Sequence, residues 1–416
     1  MNMKITKLLT LSLMPVLAIA NASFAAGQAV TDRDMAIENI YDDKATVSKA
    51  GGAVTQAKPY VNPLIKPDTS SVSPLFGNNA AGVAGVMGDN QVTAKSGDIT
   101  GRAFGSFGVP YTSARVSHKP TTVVAHSTAN YLSATYPYSA IGKLTFTNPS
   151  SGLMHQCSAS LIRSGVIVTA AHCIQNFGSG NNTFTNFRFT PATYNGSVPY
   201  GTWDIGSYVR PASWANGTDV GTGAARDNDL AVLIVKKNTS NQFIKDVVGG
   251  ALAYGWNNYS FVSSSRTGNL STAAISTLGY PALLDSGRIM QRTDGPAYLT
   301  TLSGAGQIYS GSDLTGGSSG GPWIANFGYQ DPARGTGAVA GTAALRNVVV
   351  GVTSWGSADP NTPKDNYASQ FRQNTRYPNL TYGTYGAGNI GSLLQTLCTA
   401  KPSGSTKTYA QLGYCS

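Results

Sequence analysis

Residues 311–323 read GSDLTGGSSGGPW, with five glycines and three serines in thirteen positions. Such a run is either a flexible linker or a tight nest that presents one serine. Its surroundings decide between them. GQIYSG (306–311) precedes it and GPWIA (321–325) follows without a break. Both are short, apolar and of strand composition, so the segment enters a core and is not a free linker. Runs of the same kind recur along the chain: IGKLTF (141–146), SASLIRSGVIVTAA (158–171), DLAVLIV (229–235), AAISTLGY (273–280) and VVVGVTSW (348–355). Each is rich in Val, Ile, Thr and aromatics and is bounded by Gly, Pro, Asn or Ser. That spacing predicts an all-β chain whose many strands close into sandwiches or barrels. One helix is predicted at NIGSLLQTLC (389–398), with Asn389 as its cap.

Composition agrees with this reading. Charged residues are 12% of the 416 and apolar residues 41%, which leaves a polar, uncharged surface and enough apolar mass for real cores. The net charge is +10, but the basic residues are scattered. This gives solubility and weak attraction to anionic surfaces such as cell envelopes, and speaks against a nucleic-acid module. Lys4 and Lys7, the apolar run Leu8–Ala20 and Ser23-Phe24-Ala25 read as a secretory signal peptide over 1–25. No later segment is apolar for long enough to span a bilayer. The expected location is extracellular, or periplasmic in transit. Residues 26–130 read as a partly ordered pro-segment, acidic over 31–50 and rich in Gly, Ala, Ser and Pro beyond, with one short helix near 31–40. The alternative is a small accessory domain.

Four cysteines fit an oxidising destination. Cys157 and Cys173 lie sixteen apart, and Cys398 and Cys415 seventeen apart. Three connectivities are open, of which local pairing is the simplest. No CxxC occurs, so neither a zinc site nor a redox motif is expected. No metal and no cofactor is called for.

Four histidines are present: His118, His126, His155 and His172. His172 lies in VTAAHC, between an apolar strand and a cysteine, which would give a general base a rigid mount. Its plain alternative is a structural histidine. Asp229 opens a strongly apolar strand, where a carboxylate needs a donor such as a histidine N–H. Asp227 and Asp204 are rivals for that position. In the opening stretch, glycines flank Ser319, as a serine nucleophile with two backbone N–H groups at its oxyanion would require.

VTAAHC, DNDLAVL, GGSSGGP and VTSWG occur in that order, and the chain over about 130–400 resembles the chymotrypsin/trypsin-like serine peptidase family. The resemblance implies two antiparallel six-stranded β-barrels, over 131–240 and 241–416, with a short C-terminal helix. It implies His172 as base, Asp229 as its orienting partner, Ser319 as nucleophile, and the N–H groups of Gly317 and Ser319 as oxyanion hole. Ser354, Trp355 and Gly356 would pair with the substrate backbone. Cys157–Cys173 would be the disulfide beside the catalytic histidine. YPYSAIGKL (136–144) resembles the first mature strand, which puts the mature start near 120–135. The reading is a secreted monomeric serine endopeptidase acting on proteins or peptides, with its own pro-segment as inhibitor or folding aid. Rivals are a non-catalytic binding protein or adhesin, and a serine esterase on the same fold.

Two departures stand out. Ser318 replaces the aspartate that accepts the new N-terminal ammonium in animal trypsins, so that contact cannot form. The closer resemblance is to bacterial secreted members, including the glutamyl-endopeptidase-like branch. Asp313, six residues before Ser319, stands where a trypsin-like pocket holds its acid, and would select Arg or Lys; otherwise it caps a turn. A glutamate preference would call for a histidine in the substrate-binding strand, and no histidine follows His172.

Overall fold

The computed structural model describes residues 109–117, 131–302, 304–330, 345–356, 364–379 and 381–416, and the backbone of two upstream strands, β1 (Met35–Asn39) and β2 (Lys58–Pro59). The leader read at 1–25, His118 and His126 fall outside the described residues. Strand β3 (Thr112–Arg115) comes next. Then follow β4 (Ile141–Thr147), β5 (Met154–Arg163), β6 (Val166–Thr169), β7 (Thr185–Pro191), β8 (Trp203–Pro211) and β9 (Ala231–Val235). They hydrogen-bond in the order β8-β7-β4-β5-β6-β9, and β8 pairs back to β9, so the sheet closes into a six-stranded barrel.

Two short helices, α1 (Ala212–Ala215) and α2 (Ile244–Val248), and two short strands, β10 (Ala253–Tyr254) and β11 (Val262–Ser263), lie between the barrels in sequence. The second barrel is β12 (Ser271–Gly279), β13 (Gln291–Leu302), β14 (Ala305–Gly311), β15 (Pro322–Ala325), β16 (Val348–Gly356) and β17 (Asp365–Gln370). Its order is β12-β15-β16-β17-β14-β13, closed by β12–β13. This is the chymotrypsin-like pair of barrels that the resemblance implied.

Strand pattern follows burial. In β4, Leu144 and Phe146 are buried while Lys143, Thr145 and Thr147 are only half-buried, the alternation of a one-faced strand. The runs VIVT of β6 and AVLIV of β9 are buried at every residue. The two barrels share one core: Leu278, Tyr280, Ile324 and Val352 of the second pack in the same cluster as Leu161, Ile167 and Leu233 of the first. The cleft between the barrels is therefore a rigid seam.

Three elements differ from expectation. The helix expected near 31–40 is instead strand β1, antiparallel to β8 from Met35↔Pro211 to Asn39↔Ser207. A ten-residue helix is marginal by itself, and an edge strand offers backbone partners that a helix there would lack. β3, within the stretch read as pro-segment, adds to the second barrel by pairing with β13. The C-terminal helix forms as α3 (Gly388–Thr399) with Ile390, Leu393, Leu394 and Leu397 buried, but Asn389 does not cap it. Ala387 holds the N-cap position. Asn389 is fully buried and ties α3 to the first barrel and to β17, donating to Asn228 Oδ1 (3.1 Å) and Gln370 O (3.0 Å).

Both disulfides are local, Cys157–Cys173 and Cys398–Cys415. The second secures a tail that returns to the first barrel, where Arg163 Nη1 donates to Cys415 O (2.8 Å) and Gly165 N to Tyr414 O (2.8 Å). No helix of the described residues is long and apolar enough to cross a membrane. Replacing Cys398 and Cys415 together by serine should lower unfolding stability by about 3 kcal/mol, the loop-closure value for a bridge of this span; denaturant unfolding of the double variant against wild type measures it.

Candidate active site

His172 sits in a single 3-10 turn, Ala171–Cys173, at the end of β6. Two covalent or hydrogen-bonded ties hold that turn. Cys173 is bonded to Cys157 in β5. The backbone N–H of His172 donates to Asp229 Oδ1 at 2.9 Å. The imidazole Nδ1 lies 2.7 Å from Asp229 Oδ2. Asp229 is fully buried, and His172 is 1% exposed.

Asp229 also accepts from Ser354 Oγ at 2.5 Å. The reason lies in β16. Thr353 pairs with Ala368 and Trp355 with Tyr367, so Ser354 is the extra residue of a bulge. A bulge re-aims a side chain, and here it lets the second barrel donate to a carboxylate of the first. With three donors the Asp229 carboxylate is stabilised in place despite complete burial.

The rival acids are engaged elsewhere. Asp227 accepts from Gly306 N at 2.7 Å, and burial pushes its carboxyl up. Asp204 pairs with Arg188 at the surface. Asp219, which the sequence did not single out, accepts from Asn228 N (2.7 Å) and Asn228 Nδ2 (2.8 Å), fixing the residue just before Asp229.

Ser319 is 6% exposed and enters the same seam by its backbone. Its carbonyl accepts from Ser158 N at 2.7 Å, one residue from Cys157. Gly320 N donates to Thr353 O at 2.7 Å, one residue from Ser354. A Cβ on Gly320 would lie 2.0 Å from Thr169 Oγ1 and 2.9 Å from Ala170 N, so the loop lies against the strand that leads to His172. Its φ of +77° also needs glycine. Gly317 O accepts from Ser158 Oγ at 2.8 Å, and Ser318 Oγ donates to Thr315 O at 2.6 Å. The N–H groups of Gly317 and Ser319 donate to no backbone carbonyl among the described residues.

Trp355 lies flat on Tyr367, ring centroids 3.9 Å apart, and its Nε1 donates to Gln307 Oε1 at 3.0 Å. β15 pairs with β16 only as far as Val352, so Ser354, Trp355 and Gly356 continue past its end. Asp313 is half-buried; its Oδ1 accepts from Ser113 Oγ at 3.1 Å, and burial pushes its carboxyl up. Ser158 was legible only as a polar residue in an apolar strand, and its role as anchor for Gly317 and Ser319 appears only in the fold. Among the described residues one set of His and Cys atoms is close enough to share a metal, Cys157, His172 and Cys173, and its two sulfurs are bonded to each other, so it does not fit an ion.

The trypsin family profile matches residues 133–374, more than half of the chain. A curated relative, the extracellular metalloprotease of Bacillus subtilis (strain 168), is 22% identical over 103 residues, or 24% of this chain. The chain spans 32% of that relative's length. The thermostable serine protease AL20 from an extremophilic microorganism is similar at 23% identity and a TM-score of 0.43, over 56% of this chain and 92% of that one. Protease Anisep from Arthrobacter nicotinovorans is similar at 24% identity and a TM-score of 0.42, over 56% and 91%. A Glu endopeptidase in complex with MPD is similar at 18% identity and a TM-score of 0.40, over 61% and 90%. A family match of this extent, on a chain with these two barrels, means that the protein belongs to the trypsin family.

Proposed function

We propose that this chain is a secreted serine endopeptidase in which Ser319, His172 and Asp229 act as nucleophile, general base and orienting carboxylate. The observation that carries the reading is the buried Asp229 carboxylate, which accepts from His172 N, His172 Nδ1 and Ser354 Oγ. With Nδ1–H donating to Asp229, Nε2 is the basic nitrogen. Ser319 Oγ attacks the peptide carbonyl as Nε2 takes its proton. The oxyanion is received by the N–H groups of Gly317 and Ser319. His172 then protonates the leaving amine, and water hydrolyses the acyl-enzyme by the same relay. Ser354, Trp355 and Gly356 pair with the substrate backbone on its acyl side.

The pro-segment upstream acts as inhibitor or folding aid, and the leader exports the chain. The two local disulfides support an oxidising destination. The residue before the scissile bond is Arg or Lys, a reading that rests on the desolvated Asp313 carboxylate six residues before the nucleophile.

A fluorophosphonate should label the processed wild-type enzyme at one residue and leave Ser319→Ala unlabelled; unlabelled wild type would instead mean a binding protein on a peptidase fold. Ser354→Ala removes a charge-assisted bond worth about 1.5–3 kcal/mol, so kcat/KM on casein peptides should fall about ten- to a hundredfold with the fold intact by circular dichroism. Asp313→Asn should cut kcat/KM for Arg and Lys peptides at least about tenfold, the scale of one lost charge-assisted contact, while peptides with apolar residues at that position are cleaved as before. A cleavage profile on a peptide library reads this directly.

A further inference from the structure

A second set of contacts joins the barrels beside the catalytic groups, and one cation lies within it. Trp355 Nε1 donates to Gln307 Oε1 at 3.0 Å, and Gln307 Nε2 donates to Arg226 O at 2.6 Å. Ala224 and Ala225, just before Arg226, pack in one cluster with Trp355 and Tyr367. The loop that leads to Asp229 therefore lies against the strand proposed to pair with substrate. The guanidinium of Arg226 rests on the first barrel, its carbon 4.1 Å from the centroid of the Phe177 ring. Phe177 meets Trp214 edge to face, centroids 5.1 Å apart, and the Trp214 ring lies 6.5 Å from that of His172. Arg226 is thus the link in a chain of contacts that runs from Trp355 to His172.

The charge is shielded from water there. Burial is the largest influence on the guanidinium and disfavours its charged form, while Asp219 and Asp229 favour it. Both of those carboxylates are committed to other donors, Asp219 to Asn228, and Asp229 to His172 and Ser354. Arg226 Nη1 donates to Ala225 O at 2.9 Å, the carbonyl of its own neighbour. A guanidinium stacked on a ring and withdrawn from water gains more from a carboxylate than a solvated one does. We propose that Arg226 is a specificity-determining residue, and that its guanidinium binds the carboxylate of an Asp or Glu placed second on the acyl side of the scissile bond.

The register of an extended substrate singles out that position. Its acyl side lies along Ser354–Gly356, and side chains of an extended chain alternate between two faces. The residue at the scissile bond points to Asp313 in the second barrel. The residue before it then points the other way, across to His172 and the Arg226 loop. Arg226 and Asp313 select opposite charges at adjacent positions, an acid followed by Arg or Lys. The net charge of +10 draws acidic chains in the same sense. The proposal rests on Ser319 as nucleophile and on pairing of the substrate with Ser354–Gly356.

The test uses the processed enzyme and peptides that differ only at the second acyl-side residue, which is Glu, Gln or Lys. Wild type should cleave the Glu peptide with kcat/KM at least about tenfold above the Gln peptide, the scale of one charge-assisted contact. The Lys peptide should fall below both. Arg226→Gln should make Glu and Gln equal, and Arg226→Lys should keep part of the preference. A merely structural Arg226 would lower all three rates together and leave their ratios as they were. Equal rates on Glu and Gln in wild type overturn the proposal, and so does a Glu preference that survives in Arg226→Gln. Should that variant not accumulate, salt decides on wild type alone: the Glu preference should shrink as ionic strength rises from about 0.05 to about 0.5 M, and a ratio indifferent to salt overturns the proposal. Fluorophosphonate labelling of the same preparation reads the catalytic assignment separately.

Discussion

A carboxylate with no access to water governs this structure. Burying Asp229 costs several kcal/mol unless donors surround it, and the donors come from both barrels. The first supplies the N–H and imidazole of His172; the second supplies the hydroxyl of Ser354. Neither barrel could meet the requirement alone. The disulfide beside His172, the bulge at Ser354 and the shared apolar seam all serve to close two sheets on one buried carboxyl group.

The same economy runs through the rest of the interior. Few charged residues are present, and the buried polar work falls to Asn, Ser, Gln and backbone groups. Asn228 satisfies Asp219 and accepts from Asn374 and Asn389, so the residue beside Asp229 is clamped by α3 and by the turn after β17. Ser158 donates through its side chain to Gly317 and through its backbone to Ser319. Neutral networks of this kind rigidify a core without the desolvation cost of ion pairs. Asp365 is a further buried acid, and its position at the head of β17, where it pairs with Gly311, ties it to the approach of the loop that carries Ser319.

The glycine-rich loop shows how a flexible composition becomes a rigid site. Gly317 and Gly320 have φ of +98° and +77°, which disfavour a side chain. At both positions a Cβ would collide with neighbouring atoms, Tyr280 O at 2.6 Å from Gly317 and Thr169 Oγ1 at 2.0 Å from Gly320. The glycines allow close approach, and the hydrogen bonds made possible by that approach remove the freedom they would otherwise have.

The strands that could be read from the chain are those whose residues are apolar enough to need a core in any fold: IGKLTF, DLAVLIV, GPWIA and VVVGVTSW. Strands such as TNFRFTP of β7 and DNYASQ of β17 carry too much Thr, Asn, Ser and Arg for that signal, and closure of each barrel demanded them together with β8 and β13, which the apolar runs also left out. The helix near 31–40 is strand β1 because its partner edge on β8 lies far along the chain, where local propensity cannot sense it. Asn389 read as a cap because local rules place it before a helix; its amide is claimed by Asn228 and Gln370 instead. The sequence by itself determined which atoms can do chemistry, since imidazole, carboxyl, hydroxyl and flanking glycines are set by residue type. Which of three acids meets the imidazole was decided only by tertiary structure, because desolvation and donor supply depend on surfaces brought together from distant parts of the chain.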